Sequence, residues 1–158
     1  MPKITPFLWF DTDVEEVAKF YTSIFKNSKI DKVTLYEDAG PNRNEKVQVV
    51  EFELDGEPLI ALNGRPQQFQ FNESVSLSVE CKSQAELDEY WSKLTAGGEE
   101  GPCGWLKDKY GLSWQVTPTA LIEMLNDPDK AKAKRAMGAM MKMKKVDIAE
   151  VERVAEGK

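Results

Sequence analysis

The sequence predicts an α+β fold made of two tandem βαβββ modules followed by C-terminal helices. Three observations carry that expectation. A short aromatic strand-like segment leads into an acid-capped amphipathic stretch near the N-terminus. The same order recurs seventy residues later. After Pro118 the pattern becomes helical throughout.

The first strand is expected over Ile4 to Phe10, which is apolar and aromatic. Asp13-Val14-Glu15-Glu16 has Asp at an N-cap position and Glu three residues on, the spacing of a capping box. Val17, Phe20, Tyr21, Ile24 and Phe25 then recur at helical spacing, predicting a helix from about Val14 to Lys26. Strands follow over Lys29 to Tyr36, Val47 to Leu54 and Leu59 to Leu62. A polar loop from Glu37 to Glu45 with Gly40-Pro41 separates the first two, and Asp55-Gly56 is a hairpin signal between the last two.

In the second module, Val75 to Cys81 alternates apolar residues with Ser74, Ser76 and Ser78, as a strand with one polar face would. Ser83 to Glu86 is a second capping box, followed by Leu87, Tyr90, Trp91 and Leu94 on one helical face. At an offset of 70, Asp13 matches Ser83, Val17 matches Leu87, Phe20-Tyr21 matches Tyr90-Trp91 and Ile24 matches Leu94. The same offset puts Phe7 and Trp9 on Leu77 and Val79, which predicts that Trp9 faces the helix. Gly97-Gly98 stops the second helix, Glu99 to Leu106 is strand or loop, and Leu112 to Thr117 closes the module. Beyond it, Thr119 caps Ala120 to Leu125, Asp127-Pro128 opens a helix to about Met143, and Asp147 starts a last short helix. The expected division is 1–63 and 74–118 for the modules, 64–73 for the linker and 119–158 for the helical extension.

Composition narrows the chemistry. The chain of 158 residues has no histidine, two cysteines and a net charge of −6. Without histidine there is no usual near-neutral base, no Ser-His-Asp or Cys-His system and no commonest metal ligand. The negative balance argues against nucleic acid and anionic membrane as partners, and no apolar run approaches the roughly 20 residues of a membrane span. Two cysteines are no disulfide framework, and the N-terminus has no secretory pattern, so a cytoplasmic setting is expected.

The segments Ile4-Thr5-Pro6-Phe7-Leu8-Trp9-Phe10-Asp11, Phe20-Tyr21-Thr22-Ser23-Ile24-Phe25 and Leu62-Asn63-Gly64 carry a family resemblance. So do Gly104-Trp105-Leu106-Lys107-Asp108 and Tyr110-Gly111-Leu112-Ser113-Trp114-Gln115. Together they resemble the vicinal oxygen chelate superfamily of glyoxalases, bleomycin-resistance proteins and ring-cleaving dioxygenases. The closest resemblance is to its PhnB-like branch, often labelled 3-demethylubiquinone-9 3-methyltransferase. The resemblance implies cup-shaped sheets and a divalent metal held by His, Glu or Gln from the first and last strands of each module. The positions it designates are Ile4, Pro6, Leu8, Leu59, Ala61 and Asn63 in one module. In the other they are Ser74, Ser76, Ser78, Ser113, Gln115 and Thr117. Only Gln115 has a ligand-type side chain where one is expected, so no metal and no cofactor is predicted. A nucleotide-type methyl donor would need a glycine-rich strand-to-helix turn, which the sequence lacks.

The candidate ligand-binding residues are Asn63, Ser76, Ser78, Cys103, Trp105 and Gln115; no catalytic residue stands out. Trp105, in a turn-rich stretch, either lines a pocket or packs beneath a loop. Cys103 is a reactive thiol activated by Lys107 or Lys109, or an inert one. Three readings remain open: metal-free binding of a small organic molecule, a metal-independent lyase or isomerase, and a structural dimer with a vestigial pocket. The methionines at 137, 140, 141 and 143 favour a homodimer contact or packing within the subunit.

Overall fold

A computed structural model of the chain describes residues 3–37, 46–64 and 68–158. The Gly40-Pro41 loop and linker residues 65–67 lie outside the described residues. The chain divides into two compact units, Met1–Phe69 and Gln70–Lys158.

In the first unit the order is β1 (Phe7–Trp9), α1 (Val14–Ile24), β2 (Lys29–Tyr36), β3 (Val47–Leu54) and β4 (Glu57–Asn63). The four strands form one sheet in the order β1-β4-β3-β2, with β1 parallel to β4 and the other pairs antiparallel. Asp13 caps α1 as the sequence predicts, its carboxylate accepting the backbone N–H groups of Glu15 at 2.9 Å and Glu16 at 3.4 Å. The N–H of Val14 donates to the Gln48 side-chain oxygen at 3.0 Å, so β3 also holds the helix start. Phe25 turns extended, ending the helix just before the expected Lys26. Asp55 and Gly56 both have positive φ (50° and 81°), the geometry of the two-residue hairpin that joins β3 to β4.

The second unit repeats this plan with β5 (Ser76–Cys81), α2 (Gln84–Thr95), β6 (Glu99–Glu100), β7 (Trp105–Lys107) and β8 (Ser113–Pro118). Its sheet order is β5-β8-β7-β6, again with the outer first strand parallel to the last. Both modules are therefore βαβββ. Three helices follow: α3 (Thr119–Leu125), α4 (Lys130–Met140) and α5 (Ile148–Ala155). Asp147 caps α5 as expected, accepting from the Glu150 N–H at 3.1 Å. Two other starts differ from the sequence reading. Asp129 rather than Asp127 caps α4, because the Asp127 carboxylate is taken by the Asp129 N–H in the preceding turn. The Thr119 hydroxyl does not cap α3; it ties the helix to β5 through Glu80 and the Cys81 carbonyl.

The helices obey the offset of 70. Val17, Tyr21 and Ile24 are buried in α1, and Leu87, Trp91 and Leu94 are buried in α2. Each such side chain contributes about 1.5–3 kcal/mol by leaving water. The strands do not share that offset. Between strand and N-cap there are two residues in the first unit, Asp11 and Thr12 after Phe10, but only Lys82 after Cys81. Phe10 and Cys81, both buried, are therefore the true equivalents, at an offset of 71.

That single residue reverses the predicted faces of the first sheet, since side chains alternate along a strand. Leu8, Leu59 and Ala61, read from the sequence as inner-face positions, are buried in the core with Phe52 and Tyr21. Phe7 and Trp9 occupy the opposite face together with Ile60 and Leu62, their registered partners. Trp9 thus points away from α1, meeting Phe69 edge-on at 5.3 Å between ring centres. Ile4 is nearly fully exposed and lies before the strand.

Asp108 organises the turn between β7 and β8. It is 3% exposed, and one carboxylate oxygen accepts the N–H groups of Tyr110 at 2.8 Å and Leu112 at 3.1 Å. The other accepts the indole N–H of buried Trp114 at 2.8 Å. Its own N–H donates to the Leu112 carbonyl at 2.9 Å. Removing such an acceptor strands three donors, two of them buried, and charged hydrogen bonds are individually strong. Asp108→Ala should lower stability by about 3–5 kcal/mol, read as a fall in the urea midpoint.

Candidate functional site

The turn held by Asp108 fixes which side chains share the sheet face turned away from α2. In the register, Trp105 lies opposite Gln115, Leu106 opposite Trp114 and Lys107 opposite Ser113. Leu106 and Trp114 are buried on the helix side. By alternation Trp105, Lys107, Ser113 and Gln115 point to the other face, where Ser76 and Ser78 join them from β5 and Glu99 from β6.

On this face lies a cavity of about 460 Å³ lined by Glu73, Glu99, Glu100, Gly101, Pro102, Cys103, Trp105, Leu106, Lys107 and Ser113. One wall is the loop from Gly101 to Gly104. Cys103 and Gly104 both have positive φ (58° and 81°), and the Trp105 N–H closes the turn on the Pro102 carbonyl at 3.0 Å. Cysteine has no intrinsic preference for this conformation, so something must hold it there. Two backbone bonds do: the Cys103 N–H donates to the Met143 carbonyl at 2.8 Å, and the Gly104 N–H donates to that of Lys144 at 2.7 Å. The segment after α4 is itself anchored by buried Val146 and by Gln84, whose side chain bonds the Val146 carbonyl and the Ile148 N–H.

The cavity's polar groups differ in their freedom. Lys107 pairs with Glu73 at 2.6 Å. This contact holds the Lys107 amine above its ordinary value and the Glu73 carboxyl below its own, in each case mainly through the hydrogen bond between them. Glu100 accepts the Trp91 indole N–H at 2.8 Å. The Ser113 hydroxyl is fully buried and has no hydrogen-bond partner. Such a group costs free energy until something bonds to it.

Of the residues singled out from sequence, Cys103 and Trp105 line the cavity. Gln115 and Ser76 lie beside it on the same face, joined by a bond of 2.9 Å from the amide to the hydroxyl. Ser78, registered with Gln115, is exposed and outside the lining. Asn63 belongs to the first unit and is committed locally: it shares the helix-side face with Leu59 and Ala61, and its amide donates to the Thr12 carbonyl. Lys107, Glu73, Glu99, Glu100 and Ser113 were not among the chosen candidates. A period-two reading carried from Gln115 across the neighbouring strand would have reached Trp105 and Lys107.

The thiols differ too. Cys81 is buried, and desolvation, reinforced by Glu86 and Glu80, pushes its thiol up to about 12, so it stays protonated and inert. Cys103 is half-buried, with its sulfur 3.9 Å from that of Met141.

The donor set does not suit a divalent ion. Among the described residues there is no group of three His, Cys, Asp or Glu side chains placed to share a metal. Gln115 is a single amide, tied through its N–H to the Ser76 hydroxyl, and one amide oxygen cannot hold a divalent ion against water. Among the described residues there is no glycine-rich strand-to-helix turn of the nucleotide-binding kind. The strand-to-helix connections, Phe10 to Asp13, Cys81 to Ser83 and Pro118 to Thr119, contain no glycine, and Gly101 and Gly104 lead into a strand. Among the described residues, no helix is long and apolar enough to cross a membrane.

Residues 2–117 match the family model described as 3-demethylubiquinone-9 3-methyltransferase. Among solved structures, the PhnB protein of Bacillus cereus, which carries the same methyltransferase description, is 33% identical. That likeness covers 75% of this chain and all of the other, with a TM-score of 0.64. Protein PA1353 of Pseudomonas aeruginosa shares the fold at 16% identity and a TM-score of 0.62, covering 75% of this chain and 98% of that one. The fosfomycin resistance protein FosX of Listeria monocytogenes does so at 17% and 0.56, covering 80% and 98%. A variant of that FosX has been solved with Mn(II) at 18% identity and a TM-score of 0.52, covering 75% of this chain and 95% of that one. No curated protein sequence matches the chain.

Two outcomes follow from the site's geometry. Ser113→Ala removes a buried hydroxyl that nothing satisfies, so the ligand-free protein should gain up to about 1–3 kcal/mol, seen as a higher urea midpoint. The carboxyl of Glu73, followed by carbon NMR, should titrate below the ordinary glutamate value and move back towards it in Lys107→Met, a backbone hydrogen bond keeping part of the depression. Because the folded Glu73 value is depressed, its share of stability is present above the ordinary carboxylate range and is lost as pH falls through the depressed value. The raised Lys107 value works oppositely, and its share is lost only as pH climbs past the ordinary lysine range. At neutral pH the pair is intact.

Proposed function

The chain belongs to the PhnB-like family described as 3-demethylubiquinone-9 3-methyltransferase, within the vicinal oxygen chelate superfamily, and from that premise we propose that it binds a small organic molecule without a metal. The observation that carries this reading is the cavity on the second sheet, with Trp105 on its wall and the unpartnered Ser113 hydroxyl buried in its lining. A volume of about 460 Å³ is within the range of small-molecule sites. Trp105 and Pro102 supply apolar surface, and Ser113 supplies a fixed polar group.

Binding is favoured over turnover by the state of the lining groups. Lys107, the amine of the lining, is held cationic by Glu73 and so is no base at neutral pH. The family's methyltransferase description finds no glycine-rich donor-site turn among the described residues, so methyl transfer is no part of the reading.

A thermal-shift screen over aromatic and heterocyclic small molecules tests it. A ligand at a hundredfold excess over its dissociation constant adds about 2.7 kcal/mol to stability, worth roughly 5–10 °C in a chain of this size. The shift should shrink strongly in Trp105→Ala compared with that variant's own ligand-free midpoint. A hit whose shift is unchanged by Trp105→Ala, or a broad set with no hit at all, would sink the assignment.

A further inference from the structure

We propose that the molecule held in this cavity is an organic cation, an apolar or aromatic body carrying a protonated amine. This rests on the binding reading above and adds the charge class to it. The cavity face carries two carboxylates, Glu73 and Glu99, against one ammonium, that of Lys107. Lys107 and Glu73 cancel one another at 2.6 Å. Glu100, in register with Leu106, turns its carboxylate to the Trp91 indole N–H of α2 and away from this face. Glu99 sits across the register from Lys107 and helps hold that amine raised, with no direct hydrogen bond or ion pair of its own among the described residues. The cavity therefore presents an excess of negative charge, and the chain as a whole, at −6, reinforces it.

Two further features suit an ammonium on an apolar or aromatic body. An aromatic ring, that of Trp105, lies on the wall, and aromatic faces attract cations. The Ser113 hydroxyl, fully buried with no partner, can accept from an N–H or O–H donor. An anion would meet the excess carboxylate and find its one cationic partner, Lys107, already paired. A bare divalent ion would lack the convergent ligands it needs, since no three-ligand cluster exists among the described residues.

Three probes of one shape and different charge separate the possibilities: 2-naphthylmethylamine, 2-naphthalenemethanol and 2-naphthoate, titrated into the full chain. The readout is the Trp105 indole N–H resonance, assigned with Trp105→Phe, together with calorimetric affinity. The amine should bind tightest and weaken as salt is raised. Glu99→Gln should cut amine affinity about two- to fivefold, as expected for a partly exposed ion pair, and leave the alcohol unchanged. If the alcohol or the naphthoate binds at Trp105 as tightly as the amine, the charge class is wrong and the pocket reading stands. If Glu99→Gln weakens amine and alcohol equally, Glu99 shapes the wall instead of pairing with the ligand, and the inference is overturned. If none of the three moves the Trp105 resonance at millimolar concentration, both readings fall.

Discussion

The buried carboxylate of Asp108 is the constraint on which the second unit depends. Its three accepted hydrogen bonds tie the turn after β7 to the ring of Trp114 on β8. A one-residue slip there would exchange the faces of Lys107 and Leu106, and of Ser113 and Trp114. The apolar pair would enter the cavity and the polar pair would be driven beneath α2. The chemistry of the site is thus decided at a residue that does not touch it.

A second consequence concerns what the scaffold is used for. The two units share strand order, capping logic and buried helix positions, yet their outward sheet faces differ in kind. The first carries Phe7, Trp9, Ile60 and Leu62; the second carries serines, Gln115, Lys107 and Trp105. A shared fold does not prescribe a shared site. The metal that the fold holds in a Listeria FosX variant has no matching donor set among the described residues here.

How much of this could be read from sequence varied with the kind of information required. Helix cores and three of the caps were legible because they are local: Asp13, Ser83 and Asp147 each bond an N–H a few residues away, whereas the starts of α3 and α4 were misplaced. The hairpin at Asp55-Gly56 was legible for the same reason. The face of Trp9 was not, because a repeat alignment anchored on helices assumes that the connecting turns are equal, and one is a residue longer. The cavity was half legible. Trp105 and Cys103 stood out by type and context, whereas Glu73, Glu99 and Ser113 are ordinary residues that matter only through cross-strand register. Asn63 looked like a site residue by its position on the last strand, but its amide is spent on holding the Thr12 carbonyl.

The bonds from Cys103 and Gly104 to Met143 and Lys144 have a bearing on descent. The family match ends at residue 117, and the Bacillus cereus protein aligns along its whole length with three quarters of this chain. A wall of the cavity inside the shared region is thus pinned by residues that lie outside it. Changes in the segment beyond residue 117 can reshape the cavity while every lining side chain stays the same. Relatives alike through residue 117 can therefore diverge in what they recognise, and identity over the common region is a poor guide to common ligands.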